Sequence, residues 1–332
     1  MKLCKRIVAA LVIAAMLALC VPAFAAGPEY PEVPEGYDGY ITFSVSAITM
    51  GWTYIIDPML VPVHEGETFA AVTARVFDEL GWAYTYSGTV EEGFYLTGVG
   101  CYETEPMVPE YLMNEILAYP AWAEEEFEYS FGEWTGTFTD DEILSASEYC
   151  TLSGWMFLED DESASVGADA LVVTPGKAYT WIFTIYGWGM DYGVSDGWGM
   201  FPAFDNPMEG VSRTEAHIAL AQICADEELM ETALDVAGDE LIDFLTALYD
   251  PESSQELIDS TLAALLAALY PAETIPGDVN GDGKVSSADV LLIMRYSMGL
   301  EELEASALEN ADLNGDGVVD FADALLVARS IN

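Results

Sequence analysis

Apolar and polar residues first alternate with period two, then repeat with a period near 3.6, then alternate again. "ITFSVSAI" (41–48) alternates and predicts a strand, and "MLVPVHEGET" (59–68) predicts a second strand that ends in a turn. In "TFAAVTARVFDELGW" (68–82) the period changes. Phe69, Val72, Val76 and Leu80 fall on one helical face, with Thr68 placed as N-cap. "GFYLTGVGCYE" (93–103) returns to a strand pattern.

The order strand–strand–helix–strand predicts an α+β, β-grasp-like domain over 41–205, in which a curled sheet carries one helix across it. An irregular insert near 106–140 interrupts it. There "YLMNEILAY" has helical spacing and "WTGTFTDDE" is turn-rich. After the Pro175-Gly176 turn, "YTWIFTIYG" predicts another strand.

Residues 206–271 change character and predict two or three helices, a small bundle or spacer. Ser212 and Glu215 have the spacing of a capping box ahead of "AHIALAQIC". Asp250-Pro251 reads as an N-cap and first turn, opening a helix with Ile258, Leu262, Leu265, Leu266 and Leu269 on one side.

The start of the chain does not belong to this plan. Lys2, Lys5 and Arg6 precede an apolar run, and Ala23 to Ala25 supply the small residues of a cleavage site, so 1–25 predict a signal peptide cut after Ala25 or Ala26. The run is short for a bilayer. Residues 27–40, rich in Pro and Gly, read as a linker. The whole chain has 9 basic and 58 acidic residues. Without the three bases of the leader, 58 acids face 6 bases, a formal charge of −52. Such a surface repels phosphates and anionic headgroups, which argues against nucleic acid or, after cleavage, a membrane as partner. Cys101, Cys150 and Cys224 remain, too few for a disulfide framework.

Candidate chemistry concentrates at the C-terminus. "GDVNGDGKVSSADV" (277–290) is repeated in plan by "ADLNGDGVVDFADA" (311–324). Counting from Asp278, the oxygen donors of a twelve-residue calcium loop fall at Asp278, Asn280, Asp282, the Lys284 carbonyl, Ser286 and Asp289. The second loop repeats them at Asp312, Asn314, Asp316, the Val318 carbonyl, Asp320 and Asp323. Gly283 and Gly317 occupy the sixth place, where the chain turns sharply. Hard oxygen donors in this number select calcium, one ion for each loop. Pro276-Gly277 excludes a helix entering the first loop, which leaves only exiting helices in "SADVLLIMRYSMG" and "FADALLVARS".

A loop with an exiting helix, twice, joined by "LEELEASALENA", resembles the type I dockerin module over 277–332, within a domain predicted at 272–332. The repeats also share Val285/Val319, Ala288/Ala322, Leu291-Leu292/Leu325-Leu326 and Arg295/Arg329. The resemblance implies a calcium-dependent plug for cohesin modules of scaffoldin proteins, as in cellulosomes, on a secreted, surface-held protein. It also implies partner-facing residues at Ser287, Ala288, Met294 and Arg295, and at Phe321, Ala322, Ala328 and Arg329. Many members carry a hydroxyl pair where this chain has Ser-Ala and Phe-Ala, which leaves the cohesin open. Leu291 and Leu292 read for the most part as packing between the two helices.

The larger region also has a resemblance. Ser153-Gly154-Trp155-Met156, Val166-Gly167, the Pro175-Gly176-Lys177 turn and Gly187-Trp188-Gly189, with "VHEGETFAAV" before them, are similar to a bacterial exported domain related to the C-terminal β-domain of transcobalamin. The resemblance implies a β-grasp domain for a soluble ligand. The helical barrel that completes a cobalamin site is missing, so His64 is not read as a cobalt ligand. Trp155, Trp181, Trp188 and Trp198 read first as packing and second as a platform for a glycan or peptide. Carboxylate pairs such as Asp140/Asp141 and Glu159/Asp160 carry little weight among 58 acids. The chain has no nucleophile motif, no His/Cys metal cluster and no phosphate loop. The expectation is a secreted, non-catalytic binding or adhesion subunit. The alternatives are a dockerin-borne polysaccharide-degrading enzyme and a carrier of a corrinoid-like ligand.

Overall fold

The computed structural model describes residues 27–103, 105–139, 142–194, 200–271 and 275–331, with the side chains of Ala305 and Ser306 set aside. The leader expected at 1–25, Asp140/Asp141 and Trp198 lie outside the described residues. The chain is mixed α/β and separates into two compact units, one ending at Tyr270 and the other running from Pro271 to Asn332.

In the first unit, β1 (Gly39–Ser46) and β2 (Tyr54–Val63) form an antiparallel pair, and α1 (Phe69–Leu80) follows. The Thr68 hydroxyl accepts from the Ala71 amide at 3.3 Å, the cap expected from the sequence. Next come β3 (Tyr84–Ser87), β4 (Tyr95–Gly100), α2 (Glu110–Phe127) and β5 (Ile143–Ser145). Then β6 (Gly154–Glu159), β7 (Glu162–Ser163) and β8 (Ala178–Thr184) complete two sheets. The larger has the order β2-β1-β8-β6-β7, with β1 and β8 parallel and the other neighbours antiparallel. The smaller has the order β3-β4-β5. The irregular insert supplies α2, whose Leu112, Ile116, Tyr119 and Ala123 are buried despite Pro120 within the helix.

Apolar and hydroxyl side chains alternate along β1, yet every β1 residue except Tyr40 is buried. Ile41, Phe43 and Val45 join the core under α1, with Phe69, Val72, Val76 and Phe77. The polar face is also covered. Ser44 and Thr180 hydroxyls pair at 2.9 Å there, and both residues are buried. The cover comes from the helical segment, which holds four helices rather than two or three. They are α3 (Thr214–Ala225), α4 (Glu227–Val236), α5 (Gly238–Tyr249) and α6 (Gln255–Leu269). They share a core including Leu220, Ile223, Phe244, Leu248 and Leu265. α3 packs on β1, β2 and β8, because small hydroxyl side chains on that face let a helix approach. From α5, Tyr249 packs on Tyr54 and donates to Asp57 at 2.6 Å.

Two expected caps are corrected. The Ser212 hydroxyl does not close a box with Glu215. It donates to Asp161, and the same carboxylate oxygen accepts from the Arg213 amide (2.6 Å), the Thr214 amide (2.7 Å) and the Thr214 hydroxyl (2.7 Å). A side chain from the β6–β7 turn thus caps α3. The last helix starts not at Pro251 but after Ser254, whose hydroxyl accepts from the Leu257 amide. Asp250 instead turns the chain, accepting from the Glu252 amide. The buried Arg213 side chain donates to the Leu248 and Asp250 carbonyls, satisfying the end of α5.

Between sheet and helix lies a buried polar row. The Ser46 hydroxyl accepts from Tyr192, Tyr192 and Tyr54 hydroxyls stand 3.5 Å apart, and Tyr54 contacts His217 Nε2 at 2.6 Å. His217 is fully buried, and its Nδ1 has no partner among the described residues. Burial pushes its pKa down to about 4, opposed by Asp161 and reinforced by Arg213. Burial also pushes Asp191 up to about 7, although Thr184 and the amides of Ile185 and Tyr186 donate to it.

Asp161→Ala should destabilise the first unit by about 2 kcal/mol in urea unfolding, since one acceptor serves four donors. His217 gives a pH prediction. Its folded pKa lies below the unfolded value of about 6.5, so the unfolded chain takes up the extra proton, and stability falls as pH drops from about 6.5 towards 4. His217→Gln should flatten that part of the stability–pH curve, and an unchanged slope would exclude His217 as its source.

Candidate functional site

The second unit is built on two twelve-residue loops and short helices. α7 (Ser287–Ser297) leaves the first loop, α8 (Ala305–Ala311) precedes the second, and α9 (Phe321–Ser330) leaves it. α8 corrects the expectation that only exiting helices exist. Pro276 bars a helix before the first loop, but no proline stands in "LEELEASALENA". Val279, Ile293, Ala311, Ala324 and Val327 are the buried centre, and Val285, Val290, Leu292 and Leu313 pack around them.

Each loop folds around its own carboxylates. In the first, Asp278 is buried and accepts from the Asp282 amide (3.2 Å) and the Gly283 amide (2.7 Å). The Asn280 oxygen also takes the Asp282 amide, and Asp282 takes that of Lys284. Asp289, at the twelfth place, is fully buried. One of its oxygens accepts from the amides of Val279 and Asn280, and the other from the amide and hydroxyl of Ser286. Burial opposes its ionisation, but the amides of Asn280, Ser286 and Val279 outweigh burial and hold its carboxyl below the ordinary range. Ser286, at the ninth place, caps α7 by accepting from Ala288.

The second loop repeats the arrangement. Asp312 accepts from Gly315, Asp316 and Gly317, Asn314 from Asp316, and Asp316 from Val318. Asp323 is fully buried and ties Asn314 to Asp320, which caps α9 through Ala322. Gly283 and Gly317 have φ of 79° and 82°, the left-handed turn for which the sixth place requires glycine. The repeats are laced together: Gly277 donates to the Asn310 carbonyl at 2.8 Å, and the Asn310 amide donates to the Asp278 carbonyl at 3.0 Å.

The twelve expected ligand positions therefore lie in two compact loops. Among the described residues no three side chains of the His, Cys, Asp and Glu set are grouped as a metal site. The carboxylates hold backbone amides. The remaining donors of a hard-cation site, the Asn280 and Asn314 oxygens, the Ser286 hydroxyl and peptide carbonyls, fall outside that set. The donor set is all oxygen, which fits calcium.

Seven of the eight expected partner-facing residues are exposed: Ser287, Ala288, Arg295, Phe321, Ala322, Ala328 and Arg329. Met294 is half-buried and packs against the core. Arg295 pairs with Glu301 at 2.9 Å on the surface. The paired leucines divide. Leu292 packs inward, but Leu291 is 54% exposed, which corrects its reading as packing, and its counterpart Leu325 is 51% exposed. Each lies one turn after Ser287 or Phe321 and one turn before Arg295 or Arg329, on the same stripe. The i, i+4 spacing in the sequence was the available signal.

In the first unit the remaining candidates have structural partners. Trp155 and Trp181 are core residues, and of the candidate tryptophans among the described residues Trp188, at φ 49°, is the one well exposed. Glu159 and Asp160 share Lys177, at 2.9 and 3.3 Å. Their oxygens also accept from the Tyr179 hydroxyl and the Ala178 amide. His64 is exposed, stacked on Tyr37 at 4.3 Å, with Nδ1 2.9 Å from the Gly36 carbonyl.

Among the described residues no helix is long and apolar enough to cross a membrane. No curated protein matches the chain. Type I dockerin domains bind calcium, dock to cohesins and occur in extracellular cellulosome components. With its paired loops and helices, the C-terminal sixth of the chain, residues 276–332, matches the family model for the dockerin type I domain.

Proposed function

We propose that this is an exported, non-catalytic binding or adhesion subunit, plugged onto a cohesin-bearing scaffold through residues 272–332 and presenting the first unit to a ligand. The observation that carries the reading is the doubled loop-and-helix unit, coinciding with the dockerin match. Each loop would hold one calcium ion. Asp278, Asn280, Asp282, the Lys284 carbonyl, Ser286 and Asp289 serve the first. Asp312, Asn314, Asp316, the Val318 carbonyl, Asp320 and Asp323 serve the second. The ion supplies charge compensation: it relieves the repulsion among the loop carboxylates, three in the first and four in the second.

For the first unit the reading is a β-grasp domain of the transcobalamin C-terminal kind at 41–205, with 206–271 as helical cover. Its support is the sheet order β2-β1-β8-β6-β7, with parallel central strands and α1 crossing between the first hairpin and the later strands. A glycan, peptide or small soluble ligand is its expected partner. Residues 1–25 act as the export leader. A screen of residues 27–271 against glycans, peptides and corrinoids, with reducing-sugar release followed alongside, tests this. Catalytic turnover by that fragment would overturn the non-catalytic reading.

Isolated residues 272–332 should gain helix content on calcium addition and lose it in excess chelator, as followed by far-ultraviolet circular dichroism. Asp278→Ala and Asp312→Ala should each weaken calcium binding at least tenfold at the altered loop, with the second loop the tighter in the unaltered domain. Full helicity in chelator would refute calcium-dependent folding.

The exposed leucines give a separate prediction. Leu291→Asp and Leu325→Asp should leave calcium-dependent helicity intact and reduce cohesin binding more than tenfold, measured by calorimetry against cohesins of the source organism. Unchanged affinity in both would remove this stripe from the docking face.

A further inference from the structure

Each loop of the second unit has an asparagine followed by a glycine, Asn280-Gly281 and Asn314-Gly315, inside the same Asn-Gly-Asp-Gly run. All four residues are exposed. Such a pair carries its own chemistry. A glycine amide has no Cβ beside it, so its nitrogen can close on the preceding carboxamide carbon. The two pairs share a sequence but not an environment. The Gly315 amide donates to Asp312 Oδ1 at 2.9 Å, whereas the Gly281 amide donates to no acceptor among the described residues. The carboxamides differ in the same sense. Asn280 Oδ1 accepts from the Asp282 amide at 2.9 Å, and Asn280 Nδ2 donates to Asp282 Oδ2 at 3.2 Å. Asn314 Oδ1 accepts from the Asp316 amide at 2.8 Å, but its Nδ2 has no acceptor among the described residues. The first loop thus combines a free attacking nitrogen, a carbonyl polarised by an amide and a leaving nitrogen set beside a carboxylate. In the second loop the attacking nitrogen is held back.

We propose that Asn280-Gly281 is a self-modification site of the folded second unit. The Gly281 amide gives its proton to solvent base, its nitrogen bonds to Cγ of Asn280, and the Cγ–Nδ2 bond breaks. The departing nitrogen takes up a proton from solvent and leaves as ammonia. Water then opens the cyclic imide at one of its two carbonyls. Opening at Cγ restores the ordinary backbone with an aspartate at position 280. Opening at the main-chain carbonyl leaves a β-linked isoaspartate, with one more methylene in the chain between Asp278 and Asp282. The two products act in opposite directions. The aspartate gives the first loop a fourth carboxylate, as many as the second has. The isoaspartate lengthens the loop, so Asp278 loses its register with the Asp282 and Gly283 amides that it now accepts from. The first loop therefore ages while the second stays as it was made.

The site stands on the loop geometry, and only its consequence for ion binding rests on the proposed function. The full chain is incubated at mildly alkaline pH in excess calcium and, in parallel, unfolded in urea. Peptide mass spectrometry follows loss of the amide at 280 and at 314 in the same molecules, and labelling by an isoaspartyl methyltransferase counts the β-linked product. In urea the two sites should convert at equal rates, since their sequences agree. In the folded chain Asn280 should convert about tenfold faster than Asn314, because the Gly315 amide must first break its bond to a carboxylate. Asn280→Gln, whose longer side chain closes a less favourable ring, should abolish conversion at 280. Equal rates in the folded chain, or faster loss at Asn314, overturn the site. In calorimetry the aged chain should lose one of its two calcium-binding steps in proportion to its isoaspartate content. Two undiminished steps in that fraction overturn the effect on the loop. A fresh chain that takes up no calcium overturns the proposed function instead, and leaves the rate order to decide the site.

Discussion

The first unit depends on covering both faces of one strand. β1 lies between β2 and β8 within its sheet, between α1 on one face and α3 on the other, and nearly all of it is buried. A strand buried on both faces normally reads as a continuous apolar run. Here the second face is made of Thr42, Ser44 and Ser46, so hydroxyls are buried with it; two of them are partnered, and that of Thr42 has no partner among the described residues. Ser44 finds Thr180, and Ser46 finds Tyr192, which leads on to Tyr54 and His217. That row determines where α3 can sit. Asp161 fixes its first turn, and the phenol of Tyr54 meets His217 one turn further on.

The same dependence explains how a chain with so few cations stays folded. Six bases lie beyond residue 25, and at least four hold carboxylates or carbonyls in place. Arg75 grips Glu67 through two nitrogens and also reaches the Pro62 carbonyl. Lys177 joins Glu159 to Asp160, and Arg213 ends α5. The buried and half-buried acids are therefore held mainly by neutral donors, chiefly backbone amides and hydroxyls. Asp161, Asp191, Asp289 and Asp323 all follow that rule. Amide donors keep their hold as ionic strength varies, because hydrogen bonds are screened less than separated surface charges.

What could be read from the sequence follows the range of the interactions. The loops were legible because their donors lie within twelve residues of one another, and α1 because cap and stripe are local. The cap of α3 was not, because its acceptor stands 51 residues before Ser212 in the sequence. Burial of the polar face of β1 was hidden for the same reason: alternation reports which side chains are apolar, not what later packs on the polar ones. Met294 and Leu291 exchanged places for a third reason. Spacing places a residue on a stripe, but a helix in contact on two sides leaves the width of its buried stripe open.

In each repeat of the second unit one carboxylate joins the loop to the first turn of the exiting helix. Asp289 and Asp323 close their loops at the twelfth place, and each also stands in the first turn of the exiting helix, tied back to Ser286 or Asp320. The residues of the candidate docking face begin at that same turn, with Ser287 and Ala288 in one repeat and Phe321 and Ala322 in the other. A change in how the loop holds its carboxylate must shift the first turn of the helix, because the same two oxygens serve both. Coupling between loop and docking face therefore needs no relay through the core. The Asn310 bridge ties the start of the first loop to the helix before the second.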